Sequence, residues 1–171
     1  MTSPLIETDR IRIVRLDFDA VVAALEDRAL FERILSSAVD PEWPLPDMRD
    51  LLGFVRTQLG GKAGTAHWGG VIVKKDPDVV IGDVGFHSSP VDGQVEIGYS
   101  VVPRFRSQGY ATEAVGAFLR WGFQHPDIKD VIGRVSLDNP SSVKVLEKAG
   151  FEYESSTEDF IRYRISRSLL R

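Results

Sequence analysis

The residues able to do chemistry gather in the stretch from Val101 to Val115. An alternating strand pattern precedes it, a helical pattern follows, and Gly109 sits in the turn between them. Backbone N–H groups at a helix N-terminus point outward without intrahelical partners, and the helix dipole favours negative charge there. Gly109 lets a ligand approach the main chain closely, and Arg104 and Arg106 set two cations beside it. The chemistry this predicts is anion binding by main-chain donors. The spacing is neither G-x-G-x-x-G nor G-x-x-x-x-G-K-[ST], which disfavours a dinucleotide fold and leaves out a Walker A loop.

Other chemistries are narrowed by composition. The chain has no cysteine, so disulfides, thiolate metal sites and a cysteine nucleophile are excluded. Its three histidines, His67, His87 and His125, are scattered and give no metal-ligand spacing, so no metal is expected. The net charge of −4 argues against nucleic acid as a non-specific partner. No signal-peptide pattern opens the chain and no apolar run approaches the ~20 residues of a spanning helix, so a cytoplasmic protein off the membrane is expected. At 171 residues, without repeats or linkers, a single domain over 1–171 is expected, and a homodimer is the default among soluble oligomers.

The elements that must position the turn follow from periodicity. Ile11 and Ile13 alternate with Arg10 and Arg12 as a first strand. Asp17 or Asp19 caps a helical run from Ala20 to Leu35, with a break near Asp27-Arg28. The segment Asp40 to Asp47 holds three prolines and cannot be regular; Asp47 then caps a helix from Met48 to about Leu59, ended by Gly60-Gly61. Trp43 in that segment either lines a pocket or covers the core edge. The acids Asp40, Glu42 and Asp47 either attract a cation or are simply solvated. Strands over 66–74, 79–87 and 94–102 form a meander. A helix over 108–124, a strand over 131–137, a helix from Pro140 to Lys148-Ala149 stopped by Gly150, and strands over 151–154 and 160–165 complete the chain. The order is α/β with a mixed sheet. The crossover through 108–124 makes 94–102 and 131–137 parallel neighbours that splay at their C-terminal ends.

Three motifs carry a resemblance. Arg106-x-x-Gly109-x-Ala111 resembles the [RQ]-x-x-G-x-[GA] pyrophosphate loop of the GNAT superfamily of N-acetyltransferases. Glu96-Ile97-Gly98-Tyr99 is similar to the strand that precedes that loop. Asn139-Pro140-Ser141-Ser142, followed by Glu147-Lys148-Ala149-Gly150-Phe151, is similar to the family's second signature. Together they cover roughly residues 80 to 153, and the opening Glu7 to Ile11 resembles the subgroup of ribosomal-protein alanine N-acetyltransferases (RimJ/RimL-like).

The resemblance implies a GNAT-like α/β (α+β) fold, with a mixed, mostly antiparallel sheet of six to seven strands flanked by helices. It implies acetyl-CoA as co-substrate and a primary amine as acceptor. It also implies free backbone N–H groups at Val101 and Val102 facing the acetyl carbonyl and pantetheine. The backbone of Arg106, Ser107, Gln108, Gly109, Tyr110 and Ala111 would take the pyrophosphate, Asn139 would bond the pantetheine arm and Ser142 would reach the thiol. Asn139 is equally an ordinary helix N-cap, and Ser142 an ordinary first-turn residue. Acetyl transfer to an amine needs the amine neutral, the carbonyl polarised, the oxyanion stabilised and the leaving thiolate protonated or hydrogen-bonded. Glu96, on the strand face of Ser100 and Val102, is the candidate base; its alternative is a strand carboxylate paired with Arg134. Many relatives place a tyrosine acid where this chain has Leu146, which leaves Ser142 or a water at the thiol. It also keeps open a non-catalytic acyl-CoA-binding module on the same fold.

Overall fold

A computed structural model describes residues 4–59 and 69–169. The expected helix stop at Gly60-Gly61 and the start of the following strand, residues 66–68, lie outside them. The chain forms two compact units, one of residues 1–84 with 100–110 and the other of 85–99 with 111–171.

In the first unit β1 (Ile6–Glu7) pairs antiparallel with β2 (Ile11–Arg15), whose alternating Ile11 and Ile13 are buried. Asp17 caps α1 (Phe18–Glu26), its carboxylate accepting from the Ala20 N–H at 2.9 Å. Asp27 ends that helix and caps α2 (Arg28–Leu35) by accepting from the Leu30 N–H at 2.9 Å. The break near Asp27-Arg28 is therefore a side-chain cap, which satisfies a donor that a helix start leaves orphaned. Ser36 adopts φ 50° and turns the chain into β3 (Ala38–Val39). Next comes α3 (Pro46–Leu59), which starts two residues before Met48. Pro46 takes the opening position, where its missing N–H costs nothing, so Asp47 lies in the first turn rather than at the cap. β4 (Gly69–Lys74) is antiparallel to β2, with Ile13 opposite Ile72. β3 runs parallel to β5 (Val79–Phe86).

β5 and β6 (Gln94–Val101) each pass from one unit to the other in the chain. In the second unit follow α4 (Tyr110–Gly122), β7 (Asp130–Ser136), α5 (Pro140–Lys148), β8 (Glu152–Ser156) and β9 (Phe160–Ser166). α4 buries Ala114, Val115, Phe118 and Leu119 completely, each large apolar side chain contributing about 1.5–3 kcal/mol. It is the crossover that makes β6 and β7 parallel. Their ladder pairs Gln94 with Asp130 through Ile97 with Gly133 and goes no further, although β6 continues to Val101 and β7 to Ser136. β7–β9 and β8–β9 are antiparallel.

Strand order is β1-β2-β4-β5-β6-β7-β9-β8, with β3 against β5. The sheet is mixed and mostly antiparallel, as expected. The two-residue strands β1 and β3 account for the difference between the nine strands among the described residues and the seven read from periodicity.

Candidate active site

The anion cradle belongs to the first unit. A 3-10 turn, Pro103–Phe105, leads out of β6. Ser107 at φ 58° and Gly109 at φ +85° then reverse the chain before α4 begins at Tyr110. A left-handed backbone is easy for glycine and costs other residues about 1–2 kcal/mol. A Cβ on Gly109 would meet only the Arg10 guanidinium, 3.2 Å away. The turn is braced on both sides. Arg106 Nε donates to the Val101 carbonyl at 2.8 Å, and Gln108 Nε2 to the Arg104 carbonyl at 2.9 Å. Arg10 donates to the Gln108 carbonyl at 3.0 Å and lies over the Tyr110 ring, 4.6 Å from its centroid. Sequence reasoning missed Arg10 because its contact spans 98 positions. Gly109, with a donor-lined turn opening onto a 13-residue helix, fits a phosphate group at its main chain.

One expected donor is already used. The Val102 N–H bonds to the Ile81 carbonyl at 2.9 Å, so it is not free for a ligand. Donors alternate in direction along a strand, so the Val101 N–H points away from β5.

The same unit holds a constellation that periodicity did not disclose. Asp83, in the middle of apolar β5, is 8% exposed. Its Oδ2 accepts from Ser100 Oγ at 2.8 Å and from Trp43 Nε1 at 3.1 Å. Burial pushes its carboxyl up to about 6, against the two hydrogen bonds. Trp43, 2% exposed, stacks on Phe31 with centroids 5.3 Å apart, and is thus a core ring. Asp40, on the same loop, is buried; it accepts from the Glu42 N–H at 2.9 Å and is paired with Arg104. Asp40 is therefore a structural acid. The lone acid inside Val79–Phe86 was the sequence signal for Asp83.

The second unit holds Glu96, Ala111, Asn139 and Ser142. Ala111 is the second residue of α4. Glu96 Oε2 lies 3.2 Å from Arg134 and Oε1 3.5 Å from His87 Nδ1. These contacts hold its carboxyl below the ordinary range, His87 first and the Arg134 charge after it, against burial. The pairing with Arg134 is the alternative read from the sequence. Asn139 caps α5: its Oδ1 accepts from the Ser142 N–H at 3.2 Å and Ser141 Oγ at 2.9 Å, while its amide nitrogen remains a donor. Tyr99, also unforeseen, donates its hydroxyl to the Ser142 carbonyl at 3.1 Å and so fixes the first turn of α5; burial raises its phenol. Leu146 has no exposed surface, and a Cβ on Gly133 would come within 2.6 Å of it.

Among the described residues no group of three or more His, Asp or Glu is placed to hold a metal ion, and no helix is long and apolar enough to cross a membrane.

Comparison with known proteins bears on the family and the fold. Residues 10–152 match the acetyltransferase (GNAT) domain family. The chain is 31% identical over 151 residues to the uncharacterized N-acetyltransferase YjdG of Bacillus subtilis (strain 168), covering 86% of this chain and 89% of YjdG. The crystal structure of a GNAT-family acetyltransferase from Bacillus anthracis superposes with a TM-score of 0.66 at 23% identity, over 95% of this chain and 98% of that one. The ribosomal-protein-S5-alanine acetyltransferase of Vibrio fischeri gives 0.64 at 18%, over 96% and 97%. With its motifs in order on this sheet, the chain belongs to the GNAT family of acetyltransferases.

Proposed function

We propose that this protein transfers an acetyl group from acetyl-CoA to a primary amine by direct attack in a ternary complex. The acceptor is a protein N-terminus or a small-molecule amine. The observation that carries the reading is the left-handed Gly109 turn feeding α4. It presents successive main-chain donors to a pyrophosphate, which needs no side-chain charge to be held. The Arg106 N–H is held by the Pro103 carbonyl at 3.1 Å, so the backbone of Ser107 to Ala111 takes the pyrophosphate; the Val101 N–H faces the acetyl carbonyl, and the Asn139 amide nitrogen donates to the pantetheine arm.

The chemistry then balances without an enzyme intermediate. The amine nitrogen attacks the thioester carbon, the oxyanion collapses, and the C–S bond breaks. The amine proton leaves through water to Glu96 and on to solvent, while Ser142 or a water it holds hydrogen-bonds the leaving thiolate, which takes its proton from water. Glu96, kept ionised by His87 and Arg134, is ready to accept a proton but is a weak base. That suits a relay through water better than direct abstraction.

A non-catalytic acyl-CoA-binding module is the second reading. It is favoured by Leu146, fully buried where many relatives carry an acid. A thiol-release assay with acetyl-CoA against amines and peptide N-termini separates the two. Turnover on any amine removes the module reading; tight acetyl-CoA binding with no turnover across the panel supports it.

A further inference from the structure

Asp83 has more acceptor capacity than its surroundings use. Both of its donors, Trp43 Nε1 and Ser100 Oγ, converge on Oδ2, and no described residue donates to Oδ1. Among the described residues no lysine, arginine or histidine forms an ion pair with it. Arg104 is engaged by Asp40 on the Trp43 loop. A carboxylate buried this far is ordinarily paired or replaced by a neutral group. Asparagine would accept from both donors equally well at no charge cost, so the two hydrogen bonds alone do not account for an acid here.

Its position is equally specific. The bond from the Val102 N–H to the Ile81 carbonyl sets the antiparallel register that puts Asp83 across from Ser100. That is the C-terminal end of β6, one residue before Val101, and the carboxyl ends of parallel strands are where α/β sheets take their ligands. Trp43 is fixed in turn by its stack on Phe31, so the carboxylate is oriented before any ligand arrives.

We infer that Asp83 is the anchor for the acceptor, its Oδ1 accepting an N–H from the ammonium of a cationic primary amine while Ser100 and Trp43 hold the carboxylate in place. This rests on the acetyl-transfer reading above and names the substrate class: amines that arrive protonated. Asp83 binds and positions; removal of the proton remains a separate step.

The test is steady-state kinetics of the full chain at saturating acetyl-CoA, on the best substrate from a panel of polyamines, aryl-alkylamines and peptides with free N-termini. Asp83→Asn raises KM for the amine roughly 10- to 100-fold, the scale of a charged hydrogen bond, with kcat changed less than about threefold. Acetyl-CoA affinity measured by calorimetry does not move. Ser100→Ala, which keeps the charge but frees it, raises KM about 2- to 10-fold. If Asp83 were merely structural, any loss in the variants would fall on kcat as well as KM, without this split. Wild-type turnover with unchanged KM in both variants overturns the assignment and leaves acetyl transfer standing. Wild-type protein that binds acetyl-CoA yet neither binds nor acetylates any amine of the panel overturns both.

Discussion

Replacing Asp83 by asparagine should make the protein more stable at neutral pH. The carboxyl sits at about 6 in the folded chain, against 3.8 for an ordinary aspartate, because burial disfavours its charge. A folded pKa above the unfolded one means that the folded state holds the proton more tightly. The acid is therefore harmless below about pH 4 and costs stability progressively as pH rises from there to about 6. The full cost of the shift, at 1.36 kcal/mol per unit, is about 3 kcal/mol above pH 6. Asparagine keeps both hydrogen bonds and escapes the charge. Asp83→Asn and wild type should melt together near pH 4. They should separate between pH 4 and 6, the variant ending about 6–12 °C higher at pH 7.5 for a chain of this size. Thermal melts by circular dichroism at four or five pH values supply the curve. A variant less stable than wild type at pH 7.5, or a gap independent of pH, would falsify the account of Asp83 as a desolvated carboxylate.

Other outcomes follow from the same geometry. Gly109→Val should abolish acetyl-CoA binding in calorimetry, because a β-branched side chain at φ +85° both strains the turn and covers the cradle; wild-type affinity would place the pyrophosphate elsewhere. Arg106→Ala should weaken binding less, since Arg106 braces the Val101 carbonyl while the main chain carries the load. Glu96→Gln should cut turnover roughly 10²-fold with partial recovery as pH rises, the usual size of general-base catalysis; near-full activity at neutral pH would leave Glu96 as the partner of Arg134 and nothing more. Gly133→Ala should cost about 1–3 kcal/mol by overpacking Leu146. Adding Leu146→Ala should give a double variant less damaged than the sum of the two, read by urea titration in a double-mutant cycle.

What the sequence disclosed was local. The break at Asp27-Arg28, the Asn139-Pro140 helix start and the parallel β6–β7 pair are written in spacing and residue type, because each is decided within a few positions or by one crossover. The pairing of Glu96 with Arg134 was one of two readings, since alternation shows the face of a strand but not its neighbour across the sheet. The spent Val102 N–H needed the register of β5 against β6, and a shift of one residue would have freed it. Arg10 and Asp83 escaped for the same reason. Their partners, Gln108 in one case and Trp43 and Ser100 in the other, lie far away in the chain. An acid amid Val79-Val80-Ile81-Gly82 and Val84 breaks the apolar run, and that interruption was the available clue.

The fit of Leu146 against Gly133 also bears on which ancestors and descendants this chain can have. A tyrosine at position 146 would have to enter a space already filled to the backbone of β7 by a leucine, so a single codon change would unfold more than it would gain. The reverse route is costly as well, since Gly133 enlarges only by displacing the Leu146 side chain. The two positions form a lock that opens only when both change together or α5 shifts. A lineage that has closed it must meet every later demand at the thiol with the first turn of α5 or with water.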